Sequence, residues 1–349
     1  MKKTIIAIMI FAGAVCMNAC SDHQQDPSAF DKTYNSVNDP ENEYFWEQFH
    51  SGNISNVKTM ISRLEKQYAG DSTNVVVAAH LGFANFWVLS EGMRSTQPLG
   101  SIPDYINNAY KYFGRAYQLN TNDKRILGFL SNAEMAWSSL QPQPGPVQQS
   151  AMQKGQESIA AWPEFNKFTI GIGYTGLPPQ ADAFKYALEL QWTTLEDCYT
   201  SPIDRSNPDI RHILNRDLSG HNLGKDRACY NNWLAPHNIE GYFLNMGDMI
   251  VKTGDHAMAV KIYELAKASP DYNNWVFKDV LEKRITNAQQ NTVKFLDETQ
   301  QGIDNVMIAG SGALCMSCHQ MSEGDKLRYK DFDWKKYFRE TDVYSVKGL

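Results

Sequence analysis

The sequence predicts an all-α protein, an irregular array of antiparallel helix hairpins, on three observations. From Glu43 onward, apolar residues recur at helical spacing, as in Val57, Ile61 and Leu64. Between Phe243 and Pro270, small residues at Gly247, Ala259 and Ala266 would let two antiparallel helices approach, while Ile250 and Tyr263 would fill the space between them. Looser copies of that pattern lie upstream. Leu81-Gly82 and Leu127-Gly128 repeat its first-helix part, and Ala109-x-x-x-Phe113-x-x-Ala116 repeats its second.

The chain opens on residues 1–19, which have the form of a signal peptide: Lys2 and Lys3, an apolar run from Ile5 to Val15, then small residues. That run is too short to span a bilayer as a stable helix. Met17-Asn18-Ala19-Cys20 resembles the lipobox of bacterial lipoproteins, which implies lipidation of Cys20 as the first mature residue. Met17 stands where Leu is commonest and Asn18 where a small residue is usual, so cleavage after Ala19 with a free Cys20 stays open. Residues 20–42 are polar and read as a flexible tether.

Residues 43–300 read as the helical domain. Val75 to Leu89 is a long apolar helix carrying His80, a position more typical of a packed core histidine than of a ligand. Ser90 to Pro103 reads as an insertion, and Ala160 to Asn166 as the close of a further unit. Phe168 to Pro179, rich in Gly, Thr and Pro, marks a loop or pocket lip, and Asp182 to Glu196 returns to helical periodicity. Pro202 to Cys229 is polar and carries His212 and His221; it is too long for a routine connection. His237 precedes a helix over Ile239 to Lys252, and Asp279 to Leu296 is a further helix.

The Phe243–Pro270 unit is similar to the tetratricopeptide-repeat family: Met246-Gly247 at the Leu-Gly position, Ile250 at the Tyr position, Gly254 in the turn, then Ala259-x-x-x-Tyr263-x-x-Ala266 and Pro270. The array is irregular, since Leu81-Gly82 and Leu127-Gly128 stand 46 residues apart where the family repeats at about 34. The resemblance implies a helical surface on which a protein partner docks.

Residues 301–349 carry the chemistry. Cys315-Met316-Ser317-Cys318-His319 has the order of a c-type haem attachment motif. Two thiols one helical turn apart can add to the haem vinyl groups, and the next imidazole is then placed as proximal iron ligand. The segment, with Gln320 after it, resembles the attachment segment of c-type cytochromes, which implies one covalent haem c on Cys315 and Cys318 with His319 on the iron. Zinc fits poorly, because no second Cys-x-x-Cys or His pair follows at ligand spacing. A redox or structural disulfide between Cys315 and Cys318 stays open.

No Met or His occurs from Ser322 to Leu349, and Met316 and Met321 lie too near His319 to reach round a porphyrin. A distal ligand then comes from upstream, with His237 first and His221, His212 and Met307 as alternatives, unless the iron is five-coordinate or bound by a partner chain. The tail interleaves Phe332, Trp334, Tyr337 and Phe338 with basic residues, as an amphipathic helix or as an aromatic cover with a basic rim.

Composition sets the outer bounds. The 349 residues, 42% hydrophobic and 21% charged, suit a globular chain. A net charge of −6, more acidic once Lys2 and Lys3 leave, argues against a general nucleic-acid binder. Of six cysteines, Cys198 and Cys229 have no other assignment. In an oxidising compartment they are able to pair, at a gain of roughly 3–4 kcal/mol from loop-closure entropy, or to stay as buried thiols. No Walker loop, dinucleotide fingerprint, nucleophile elbow or zinc-protease motif is present.

The expected function is electron transfer by an exported, lipid-anchored haem protein facing the periplasm, with a protein redox partner. By the lipoprotein resemblance, Ser21 points to the outer membrane. The competing expectations are a haem-free scaffold or solute-binding lipoprotein, and a haem enzyme with an open distal site.

Overall fold

The computed structural model describes residues 40–199, 202–209, 238–269 and 271–322. They belong to one compact unit, Tyr34–Leu349; the other unit, Met1–Thr33, lies outside the described residues, as do the signal peptide, Cys20 and most of the tether. Among the described residues there are thirteen α-helices and no strand. The expected all-α array of antiparallel hairpins is what the chain forms.

The helices are α1 (Pro40–His50), α2 (Val57–Gly70), α3 (Val75–Glu91), α4 (Ile102–Leu119), α5 (Lys124–Ser138), α6 (Pro144–Ala161), α7 (Pro163–Ile172), α8 (Asp182–Tyr199), α9 (Ile239–Thr253), α10 (His256–Ala266), α11 (Lys278–Thr286), α12 (Ala288–Leu296) and α13 (Leu314–His319). Successive helices pack most closely as the pairs α3–α4, α5–α6, α7–α8 and α9–α10. The first-helix and second-helix signatures fall on these pairs: Leu81-Gly82 on α3 against Ala109, Phe113 and Ala116 of α4, and the Phe243 unit on α9–α10.

Small residues set the close approaches. A Cβ on Gly247 would stand 2.2 Å from the Tyr263 ring, and one on Gly82 would stand 2.8 Å from Phe113. Ala259, Ala266 and Tyr263 are fully buried between α9 and α10. Helix starts follow from local chemistry, since the side chains of Asn74, Asp123, Asn238 and Asp255 accept from the first free N–H groups of α3, α5, α9 and α10. Gly254 closes α9 with a left-handed φ of 96°.

Three expectations on element limits change. Phe168 to Ile172 continue α7, so the Gly-rich connection is shorter than its composition suggests. Lys252 of α9 holds that connection by donating to the carbonyl oxygens of Thr175, Gly176 and Leu177 at 3.2, 3.2 and 2.8 Å. The helix expected over Asp279 to Leu296 is two, α11 and α12, broken at Asn287, whose backbone leaves the helical region. The first helix begins at Pro40, where proline's fixed φ suits a helix start.

One large core runs from Phe45 and Trp46 of α1 through α3 and α9 to Met316 and Cys318 of α13. The C-terminal motif is therefore built into the array: α13 packs against α9, α3 and α1.

Candidate functional site

A six-residue helix is too short to hold itself together, so α13 must be held from outside. The hold begins on α9. Asp248, fully buried, accepts from the Tyr263 hydroxyl and the Ile308 amide, both at 2.6 Å, and pairs with the buried Arg284 at 2.9 Å. Arg284 in turn donates to the carbonyl oxygens of Ile303 and Val306 at 2.7 and 2.6 Å. Together these fix the path of the chain into α13.

Three separate pieces of the fold then bind the helix itself, and a fourth holds a residue just beyond it. The Met316 amide donates to buried Glu91 of α3 at 2.8 Å, and Trp87 Nε1 and Arg94 donate to the other carboxylate oxygen at 3.1 and 2.5 Å. Trp275 Nε1 donates to the Ser317 carbonyl at 2.9 Å, and the Asn238 amide to that of Cys318 at 3.1 Å. Beyond the helix, the Met321 amide donates to the His50 carbonyl at 2.9 Å. The approach of α9 is so close that a Cβ on Gly241 would stand 2.4 Å from the Ser317 oxygen and 2.6 Å from Cys318 Sγ.

The faces of α13 differ in exposure. Met316, Ser317 and Cys318 are buried, whereas Cys315 and His319, one turn apart, are half-buried. Cys315 and Cys318 are free thiols. Burial pushes the Cys315 thiol well up, with the Glu91 carboxylate adding to it. Cys318 is pushed up to about 12, burial first and the Glu240 and Glu91 carboxylates after it. Both sulfurs are therefore protonated at neutral pH. Glu91 is itself raised by burial, against the Met316 amide and Arg94.

The imidazole of His319 is pulled down to about 3, mainly by burial and then by His50, and so is neutral, the form that binds metal. Its ring lies 5.2 Å from Phe49. Phe49 meets Trp87 at 5.2 Å, and Trp46 meets His50 at 5.3 Å, forming an aromatic layer at one side of the motif. His80 is core, stacked on Phe45 at 3.9 Å.

Two free thiols a helical turn apart and a neutral imidazole beside them are the donors a covalently held haem would use, with Cys318 buried in the packing of α13 and Cys315 and His319 half-buried. Among the described residues, no three His, Cys, Asp or Glu side chains converge as a metal site of their own. Other expected residues are scattered. Met307 is buried next to Ile308. Cys198, half-buried on α8, is disulfide-bonded. His212, His221, Cys229, His237 and the aromatic tail lie outside the described residues.

Sequence reasoning missed His50 and Glu91. His50 ends an aromatic helix, Tyr44-Phe45-Trp46-Glu47-Gln48-Phe49-His50, far from the motif in the chain. That run of rings was the available signal. Comparison with family models, curated proteins and solved structures gives no match.

Proposed function

We propose that this chain is an exported, lipid-anchored c-type haem protein that passes single electrons to a protein partner docked on the helical array. The reading rests on α13, where Cys315 and His319, both half-buried, stand one turn apart with the buried Cys318 thiol next to them. Bound there, haem would supply a one-electron redox centre. The chain's own part is positional. Glu91, Trp275 and the Asp248–Arg284 pair hold the motif rigid, and the aromatic layer of Phe49 and Trp87 excludes water beside His319.

The test is expression of the full chain in a periplasm that contains cytochrome c maturation machinery. The expected product is red, and its visible band and mass increment survive denaturation; replacing both Cys315 and Cys318 with Ser abolishes them. A colourless product at polypeptide-plus-lipid mass would leave a haem-free helical adaptor. The packing of Cys318 on Gly241 favours that second reading, because the sulfur already has a close protein neighbour.

A further inference from the structure

We propose that the groove between α2 and α4 binds a small zwitterionic amino acid, its ammonium held by Asn85 and Asp104 and its carboxylate by Lys58. The inference stands independently of the haem reading and uses no residue of the Cys315–His319 motif.

Helices α2 and α4 both pack on α3 and leave between them a groove of about 330 Å³, at the small end of the range that ligand pockets occupy. Its α2 wall presents Lys58, Ser62 and Glu65, and its α4 wall presents Asp104 and Tyr105. The two walls are held at a fixed spacing. One turn further along both helices the Tyr68 and Tyr112 rings meet edge to face at 5.5 Å, and ahead of both helices Ser55 and Thr96 share a hydroxyl hydrogen bond at 2.9 Å.

The floor includes Asn85, fully buried in the apolar helix α3. Its Nδ2 group donates to the Leu81 carbonyl at 2.7 Å, one turn back on the same helix, so Oδ1 is the amide atom turned away from α3. That oxygen is buried and accepts no hydrogen bond. A buried acceptor without a donor is costly, and an apolar side chain of the same size would spare the helix that cost. A ligand N–H lodged in the groove would satisfy it.

The charges of the walls narrow the ligand. Neither Lys58 nor Asp104 forms an ion pair among the described residues, with the other or with a third group. Glu65 is already engaged, its carboxylate accepting from the Tyr112 hydroxyl. An unpaired cation and an unpaired anion on opposite walls match a small molecule that carries both charges. The ammonium belongs with Asp104 and Asn85 Oδ1, because both only accept, and the carboxylate belongs with Lys58, which only donates. The Tyr105 hydroxyl takes the Gly100 amide at 3.3 Å, so its ring offers an apolar surface to the ligand's side chain. A metal cation fits less well, because Lys58 shares the groove.

The test is ligand-observed saturation-transfer NMR on the full chain, with a mixture of the common L-amino acids as probe and a mixture of neutral monosaccharides beside it. Transfer is expected to one or more amino acids and to no sugar. For an amino acid that responds, the amine lacking its carboxylate and the acid lacking its amine are expected to bind at least about ten-fold more weakly. Asn85→Leu is expected to abolish the transfer and to raise Tm, because it removes a buried acceptor while the Leu81 carbonyl keeps its helical N–H. A merely structural asparagine would lower Tm on replacement. Lys58→Ala and Asp104→Asn, both at exposed positions, are expected to weaken binding by about the same ten-fold factor, and they decide the matter if Asn85→Leu does not fold. No transfer to any amino acid overturns the proposal, as does transfer to the sugars alone or equally. Binding that is unchanged in any one of the three variants overturns it too. None of these readouts passes through haem, so this inference and the haem reading fail separately.

Discussion

His80 shows how one side chain that looks like chemistry acts as packing. It is fully buried, parallel to Phe45 at 3.9 Å and edge-on to Trp46 at 5.5 Å. Burial pulls its pKa from 6.5 to about 3, so the folded chain keeps it neutral where the unfolded chain takes up a proton. Between pH 6.5 and about 3 the unfolded state therefore binds more protons, and stability must fall as pH falls, by roughly 1.4 kcal/mol per pH unit from this group. His80→Phe should flatten the pH dependence of urea unfolding by about that slope between pH 6.5 and 4.5, and an unchanged slope would contradict the assignment. The core placement of this residue was legible beforehand because a histidine on an apolar helix face is usually core. The role of His50 was not legible, because the contact between α1 and α13 joins residues that are far apart in the chain and carry no shared motif.

At the scale of elements, the hairpins were legible and their ends were not. Gly247, Ala259, Ala266 and Tyr263 mark α9–α10 because close helix approach demands small residues at fixed spacing, and the structure buries all four between those helices. The break at Asn287 was hidden, since apolar periodicity continues across it, while just before it Arg284 turns inward to Asp248 and to the Ile303 and Val306 carbonyls. Nor was the support of α13 visible, because Asp248 belongs to a repeat helix and looks like a solvated acid in the sequence. Asp248→Ala would strand a buried guanidinium and release the Ile308 amide, at a cost of about 3–5 kcal/mol in chemical denaturation. Amide exchange at Ile308 should accelerate in the same variant. Arg284→Ala should cost a similar amount, and the double variant clearly less than the two together; simple additivity would mean that the two residues act separately.

For the whole molecule, the order of events follows from where α13 sits. It is enclosed by α1, α3 and α9, elements drawn from both ends of the array, so the motif is covered only when the array closes. Closure also disarms it. Cys318 rises to about 12 and Cys315 is pushed well up, so neither offers appreciable thiolate to an incoming electrophile near neutral pH. An unfolded thiol titrates near 8.5. After allowing for the greater intrinsic nucleophilicity of the more basic sulfur, Cys318 should be alkylated roughly a hundred-fold more slowly in the native haem-free chain than in urea. Peptide mass mapping after brief iodoacetamide treatment reads both cysteines separately. On the proposed haem reading, haem would have to add before α1 and α3 close over α13, so haem-free protein that has already folded should stay colourless when offered reduced haem and maturation machinery, while the same chain supplied unfolded should load. Equal labelling rates in the two states, or efficient loading of the folded chain, would mean that the array opens at α13 far more readily than its hydrogen bonds to Glu91, Trp275 and His50 allow.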